Sequence, residues 1–559
     1  MEGRRPLVSL SIKNWGLIIT SQYAFPFLAR FSSFMVQYFG VLGVDEQHQS
    51  IPNLVVKLYY GDNTFQSGKR KIKYKQMAIN YFSRCAKMNI SAINPAMPPT
   101  TLSVKSRHVA VIGAGAAGLV AARELRREGH SVVVFERGHE VGGTWVYTPQ
   151  VEPDPLGLDP NRPIIHSSLY SSLRTNLPRE AMGYMDFPFV TRPGENRDPR
   201  RYPGHREVLL YLKDFAREFG VEEMVRFETD VIKVGILGDG KWKVSSKTSS
   251  FNGNNEIISK SNAEFDDEIY DAVVVCNGHY TEPRIADIPG INLWPGKQMH
   301  SHNYRIPEPF RDQVVIVIGS SASAVDICRD IAPIAKEVHV ASRSVADETY
   351  TKQPGYDNLW FHSMIDHAHE DGTVVFRNGK TVLADLIMHC TGYKYHFPFL
   401  DTKGIVTVDD NRLGPLYKHV FPPALAPYLS FIGIPWKIVP FPLFEFQSKW
   451  IAGILSGRIT LPSQKEMMED IQAFYSTLED SSIPKRYTHC IGQSQVEYNN
   501  WLAAQCGCQG VEKWREAMYS MASENRRLRP EMYRDEWDDH HLVSEAYEDF
   551  IKYPSASNL

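Results

Sequence analysis

The sequence contains no C-x-x-C pair, and its seven cysteines are an odd number spread over 559 residues. So few cysteines, odd in number, argue against a disulfide-stapled secreted scaffold, a four-cysteine zinc module would need the missing spacing, and a reducing, cytoplasmic setting is expected. No uncharged apolar run reaches the ~20 residues that cross a bilayer, so no stable membrane span is expected. Neither sign of charge dominates: 61 Lys and Arg stand against 64 Asp and Glu, a formal net charge of −3. That balance gives no footing for a nucleic-acid partner. No Ser/His/Asp array and no paired carboxylates stand out as acid–base machinery. His362, His367, His369 and Asp366 crowd together, but one loop without further ligands does not make a metal site, and none is expected.

What is present is ordinary globular material, 43% hydrophobic and 22% charged, enough for three or four domain-sized units. The first 96 residues differ from the rest: twelve Lys and Arg, from Arg4 to Lys87, face only Glu2, Asp45, Glu46 and Asp62. An organelle transit peptide, an interfacial anchor and a start assigned too far upstream compete as explanations. The last is favoured, because Met97 is followed by a short polar lead and then at once by a nucleotide-binding pattern. A chain beginning at Met97 is expected to fold and to keep its activity.

From His108 the pattern sharpens. His108 to Ile112 reads as a buried parallel strand, Ala116 to Glu128 as a helix with a small-residue inner face, and Ser131 to Phe135 as a second strand. Between strand and helix lies Gly113-Ala-Gly115-Ala-Ala-Gly118, a full G-x-G-x-x-G. Gly113 makes the turn, Gly115 admits a pyrophosphate to the backbone, and Gly118 lets helix and strand approach. Glu136 ends the second strand, where a carboxylate can accept hydrogen bonds from a ribose. The glycine pair of Gly142-Gly143-Thr144-Trp145 can run under the ring system of a flavin.

The pattern recurs. Gln313 to Ile318 reads as a strand, Ser323 to Ile331 as a helix, and Glu337 to Ala341 as a second strand. Their loop, Gly319-Ser-Ser321-Ala-Ser-Ala324, keeps the first glycine, has the permitted Ala at the third position, and departs from the fingerprint at Ser321. Arg343 follows Gly319 at the interval, within one residue, that separates Glu136 from Gly113. A cation there suits a 2′-phosphate. Acid in the first unit and cation in the second point to FAD and NADPH respectively. Asp271-Ala-Val-Val-Val-Cys276-Asn-Gly278 also aligns with Asp385-Leu-Ile-Met-His-Cys390-Thr-Gly392, so each unit has its own returning strand. Ser245 to Asn262, rich in Ser, Asn and Lys, reads as an exposed hairpin loop.

The fold expected is α/β, two Rossmann-like dinucleotide-binding domains with the NADPH domain inserted into the FAD domain. The divisions are 97–293 for the first part of the FAD domain, 294–384 for the NADPH domain, and 385–559 for the second FAD part with a carboxyl-terminal helical region.

Trp294-Pro-Gly296-Lys-Gln-Met-His300-Ser-His-Asn-Tyr304 resembles the F-x-G-x-x-x-H-x-x-x-Y hallmark of class B flavin-containing monooxygenases, with Trp in place of Phe. The likeness is closest to the plant S-oxygenating, glucosinolate S-oxygenase-like branch, and runs from about Met97 to about Pro484. The hallmark is assigned a hinge function before a catalytic one. Cys390-Thr-Gly392-Tyr393 resembles the family's A-T-G-Y element at the end of the FAD sheet. Leu173-Arg-Thr-Asn176-Leu-Pro-Arg179-Glu matches the segment whose Asn faces the flavin, which makes Asn176 the candidate active-site side chain.

The resemblance implies oxygenation of a soft heteroatom by NADPH and O2 through a C4a-hydroperoxyflavin, with a small-molecule thioether such as a methylthioalkyl glucosinolate going to its sulfoxide. Two enzyme alternatives remain: an auxin-forming monooxygenase acting on a 2-oxo acid, and a non-oxygenating FAD/NADPH reductase. A nucleotide-binding scaffold without turnover is a third.

Overall fold

The chain divides into Met1–Lys69 and Arg70–Leu559. A computed structural model describes residues 105–248, 250–251, 257–258 and 265–553, and in the first unit the antiparallel strands Leu10–Lys13 and Gly16–Ile19. Apart from that hairpin, the expectations for residues 1–96 fall outside the described residues. Among the described residues no helix is long and apolar enough to cross a membrane.

Strand β1 (His108–Ile112), helix α1 (Ala116–Arg127) and strand β2 (Ser131–Phe135) form the first βαβ unit as the sequence pattern requires. Strands β3 (Val225–Arg226) and β4 (Ala272–Val275) extend the sheet on either side of that pair. The chain then leaves for a second sheet built from β5 (Lys297–His300), β6 (Val314–Ile318), β7 (Glu337–Ala341), β8 (Leu359–His362) and β9 (Leu386–His389), with helix α2 (Ala322–Ile331) between β6 and β7. These strands are parallel, and Tyr350–Lys352 adds an antiparallel edge. Strand β10 (Leu429–Phe431) returns to the first sheet beside β4, giving the order β10-β4-β1-β2-β3. Helix α3 (Pro440–Ser456) then buries its apolar face in the same core as α1. The second unit is thus inserted into the first. Its central strand β6, Val-Val-Ile-Val-Ile, is apolar and buried throughout because both faces are covered.

Two expectations change. Strand β9 lies between β5 and β6, so the inserted unit continues past residue 384, and the strand before Gly392 belongs to the second sheet, not the FAD sheet. Leu386-Ile-Met-His389 fills the slot between the hallmark strand and the glycine-loop strand, leaving the return to the first sheet to β10. Ser245–Thr248 belong to the strand Trp242–Thr248 and are not loop; Ser245 and Ser246 are buried where it pairs with Asp266–Tyr270. The short pairing of Ser250–Phe251 with Ile257–Ile258 does form a hairpin beyond it.

The two βαβ units match in detail. Asp271 Oδ2 accepts the His108 N–H at 2.8 Å, and Asp385 Oδ2 accepts the Val314 N–H at 2.8 Å. Each aspartate satisfies the first donor of the central strand that its own strand joins, which explains the aligned Asp of the sequence repeat.

Candidate active site

At the carboxyl end of the first sheet Gly113 has φ +102°, and a Cβ there would lie 2.7 Å from the Cys276 carbonyl oxygen. A Cβ on Gly118 would lie 1.8 Å from the Gly113 carbonyl oxygen, so this position admits only glycine. Gly115 is extended, and a Cβ on it would meet only the backbone of Gly143, at 3.4 Å. Gly143 is left-handed at φ +56°, and its own Cβ would be 2.8 Å from Gly115 Cα. The loop and the Gly142-Gly143 turn therefore lie back to back, held by the Gly142 N–H on the Ala114 carbonyl at 3.0 Å. Trp145, half-buried, closes the short 3-10 turn Gly143–Trp145. No side chain caps α1, so its first N–H groups face the loop, where they can bind an anion. Glu136 is buried, its two oxygens accepting the N–H groups of Ala114 at 2.8 Å and Gly138 at 2.7 Å. The acid braces the loop that it follows.

The second loop repeats this geometry. Gly319 has φ +120°, and a Cβ there would lie 2.5 Å from the Cys390 carbonyl oxygen. Ser321 caps α2 in the same extended conformation as Gly115, φ −88° against −75°. Any residue adopts that conformation, which is why serine is tolerated. Ala324 is buried at the third position. Ser320, which the sequence pattern did not single out, joins Ser342 and Ser344 in a ring of hydroxyls with Oγ–Oγ distances of 2.8, 3.2 and 2.7 Å. Arg343 beside them is exposed and has no ion pair among the described residues. Burial, and then the fields of Arg486 and Arg343, lower the pKa of Arg284, so cations crowd this rim.

The hallmark segment supplies strand β5 of the second sheet and the turn that follows it. Trp294 donates to the Gly372 carbonyl at 2.9 Å, and a Cβ on Gly296 would strike the Trp294 ring at 2.2 Å. His300 is fully buried, its Nε2 on the Gly392 carbonyl and its Nδ1 accepting the His302 N–H. Gly392 also accepts the Arg284 N–H at 3.0 Å, which places it where the two units join. Tyr304 donates to Asp330 of α2 at 2.6 Å. Next to it is a residue that sequence reading missed: buried Arg305 donates to the carbonyls of Thr148, Gln150, Ser167, His302 and Tyr304. Glu152, linked to both Arg162 and His302, completes the seam.

Asn176 is half-buried, and its amide has no hydrogen-bond partner among the described residues. Its loop is held on both sides: the Thr175 N–H donates to the Pro203 carbonyl at 2.9 Å, and the Arg179 guanidinium donates to the Arg200 carbonyl. The histidines expected not to bind metal lie apart, with His362 buried against His339 and Phe376, and His367 and His369 paired on an exposed strand end.

Two glycine loops on nested parallel sheets, one backed by an acid and the other by a cation, define a two-dinucleotide oxidoreductase. The chain belongs to the flavin-binding monooxygenase-like family, whose model matches residues 106–351 and 357–511. Over 462 residues it is 66% identical to the flavin-containing monooxygenase FMO GS-OX-like 4 of Arabidopsis thaliana, covering 82% of this chain and 100% of that one. The solved S-allyl-L-cysteine S-oxygenase from Allium sativum is 63% identical with TM-score 0.77, covering 81% of this chain and 100% of that one. The structure of Tmm from Pelagibacter sp. strain HTCC7211 is 25% identical with TM-score 0.63, covering 77% and 93%.

Proposed function

We propose that the protein is an NADPH- and O2-dependent S-oxygenase that converts a thioether to its sulfoxide. The observation that carries this is the 63% identity to the garlic S-oxygenase over that enzyme's whole length. The loops fit the cofactors this requires. Glycine at 115 and 143 lets the two turns pack against each other beside the uncapped amino terminus of α1, whose free N–H groups suit a pyrophosphate, and the open serine–arginine rim suits a dianion. FAD would be held by Gly113, Gly115, Gly118, Glu136, Gly143 and Trp145, with Gly392 at the seam. NADPH would be held by Gly319, Ser321, Ala324 and Arg343, joined by Ser320, Ser342 and Ser344.

When bound, FAD supplies the redox chemistry by which reducing equivalents from NADPH activate dioxygen. The chain's own part is to bind, orient and exclude water. The half-buried, unpartnered amide of Asn176 can donate to a polar group at the flavin edge. Thioether sulfur is itself the nucleophile, so no general base is needed. His300 is unsuited to be one, since both of its nitrogens are engaged.

Candidate substrates fall into two thioether types, a methylthioalkyl chain like that of a glucosinolate and an S-substituted cysteine like the S-allyl-L-cysteine of the garlic relative. The test offers thioethers of both types, tertiary amines and 2-oxo acids to the purified holoenzyme and measures oxygenated product per NADPH. Sulfoxide should dominate. Preferential turnover of a 2-oxo acid overturns the proposal, as does NADPH oxidation that oxygenates none of them.

A further inference from the structure

Residues 529–539, which follow the helix Lys513–Leu528, lie across both nucleotide units. On the inserted unit, Arg329 of α2 donates to the Pro530 carbonyl at 2.9 Å and pairs with Glu531 at 2.8 Å. On the host unit, Asp535 binds Arg174 at 2.8 and 3.1 Å, and Asp539 binds Arg201 at 2.5 and 2.9 Å. Arg534 sits between these attachments and serves both units. Its Nη1 and Nη2 bind the Asp326 carboxylate on α2 at 3.1 and 2.6 Å, while its Nε donates to the Thr175 carbonyl at 2.9 Å. Thr175 immediately precedes Asn176, and α2 begins at the second glycine loop.

The geometry points to Arg534 as a positioning residue for oxygen transfer, fixing the backbone of the Asn176 loop relative to α2. This rests on the S-oxygenase reading for the step affected, but not for the contact itself. The side chains of Arg534 and Asp326 are only 15% and 17% exposed, so solvent screens the pair weakly. The planar guanidinium suits the task because it addresses a carboxylate with one edge and a carbonyl with Nε; a lysine ammonium cannot keep both in plane. Nearby, Tyr170 donates to the same carboxylate at 3.3 Å and Ser172 to Asp330 at 2.7 Å, so the whole approach to Asn176 is referenced to α2. Two further bonds of Thr175, from its N–H to Pro203 and from its hydroxyl to Leu177, stay inside the host unit. Arg534 thus ties the residue next to Asn176 to the inserted unit.

The test compares wild type, Arg534→Gln, Arg534→Lys and Asp326→Asn as full-length holoenzymes. Flavin content, anaerobic reduction by NADPH, sulfoxide formed per NADPH consumed, and amide exchange over residues 174–177 are measured. Arg534→Gln should keep its flavin and its reduction rate, lose sulfoxide yield by roughly three- to tenfold with peroxide released instead, and exchange roughly tenfold faster at the loop. Lysine should not restore the yield, because restoring charge alone leaves Thr175 unheld. A variant that only loses thermal stability, with yield and loop exchange unchanged, overturns the assignment. If wild type oxygenates no thioether, the functional reading fails, and loop exchange alone then decides: unchanged exchange in Arg534→Gln still refutes positioning. Should Arg534→Gln not fold, Arg534→Lys and Asp326→Asn carry the same two readouts.

Discussion

His300 and Gly392, 92 residues apart, are joined by a hydrogen bond of 3.0 Å from the imidazole Nε2 to the glycine carbonyl. Because Nδ1 accepts the His302 N–H, the ring must be the neutral Nε2–H tautomer. Burial, aided by His302, pushes its pKa down to about 3. An unfolded histidine takes up its proton near ~6.5. Its contribution to stability is therefore complete above that pH and is lost as pH falls toward 3, by at most ~1.4 kcal/mol per pH unit. His362, also pushed to about 3, adds to the same slope. Denaturant midpoints between pH 7.5 and 5 should fall with acid, and less steeply for His300→Gln, which retains a donor. Parallel slopes for the two proteins would contradict the buried neutral assignment.

Substituting two glycines should separate folding from cofactor binding. Gly118→Ala puts a carbon inside the Gly113 carbonyl and should give insoluble protein. The space around Gly115 is open except for Gly143, so Gly115→Val should fold but purify without flavin. The ratio of flavin to protein absorbance reads this directly, and a fully yellow Gly115→Val would refute the placement of FAD.

Asn176→Ala or Asn176→Leu should be reduced by NADPH at a near-normal rate yet give little sulfoxide. The loss of one polar contact shows as hydrogen peroxide, measured in the same reaction as the product. Unchanged product per NADPH would remove Asn176 from the active site.

Coenzyme choice should follow Arg343. Arg343→Ala is expected to weaken NADPH roughly ten- to a hundredfold, through loss of a charge-assisted bond to the 2′-phosphate, while leaving NADH almost untouched. Arg343→Glu should invert the preference. Ser320→Ala should act in the same direction and more weakly. Anaerobic flavin reduction against the concentration of each coenzyme measures these effects, and equal weakening of both coenzymes would move the 2′-phosphate elsewhere.

The two vicinal thiols should differ in reactivity. The hydrogen bond from Cys506 lowers the Cys508 pKa to about 7, whereas burial raises the thiols of Cys276 and Cys328. Alkylation of the native protein should mark exposed Cys508 with a midpoint near pH 7, faster as pH rises, and spare the buried thiols of Cys276, Cys328 and Cys390. Cys506→Ala should return that midpoint to the ordinary thiol range, about 8.5. An unchanged midpoint would exclude the thiol–thiol bond.

Much of the nucleotide-binding framework was legible because local pattern specifies it. The edges of β1, β2 and β7 match the apolar runs, and α2 starts one residue earlier than expected. What pattern does not carry is partnership. Leu386-Ile-Met-His389 is plainly a strand, but nothing in its apolarity says which sheet receives it. Ser245 and Ser246 look like loop because the strand that covers them is apart in sequence. The same reason hid the Arg534–Thr175 bond, which spans 359 residues, and the five carbonyls gathered by Arg305. Ser320 went unnoticed because a serine in a glycine loop has no distinguishing mark until Ser342 and Ser344 meet it.

The nesting of one sheet inside another also sets an order on synthesis. As the chain leaves the ribosome, all five parallel strands of the inserted sheet, from Lys297 to His389, are contiguous and can assemble as soon as they emerge. The host sheet, begun nearly two hundred residues earlier at His108, must wait for Leu429–Phe431 to complete it and for Pro440–Ser456 to cover α1. The part started first is therefore finished last, and its exposed β4 edge and uncovered α1 face are the surfaces a nascent-chain chaperone would have to shield in the interval.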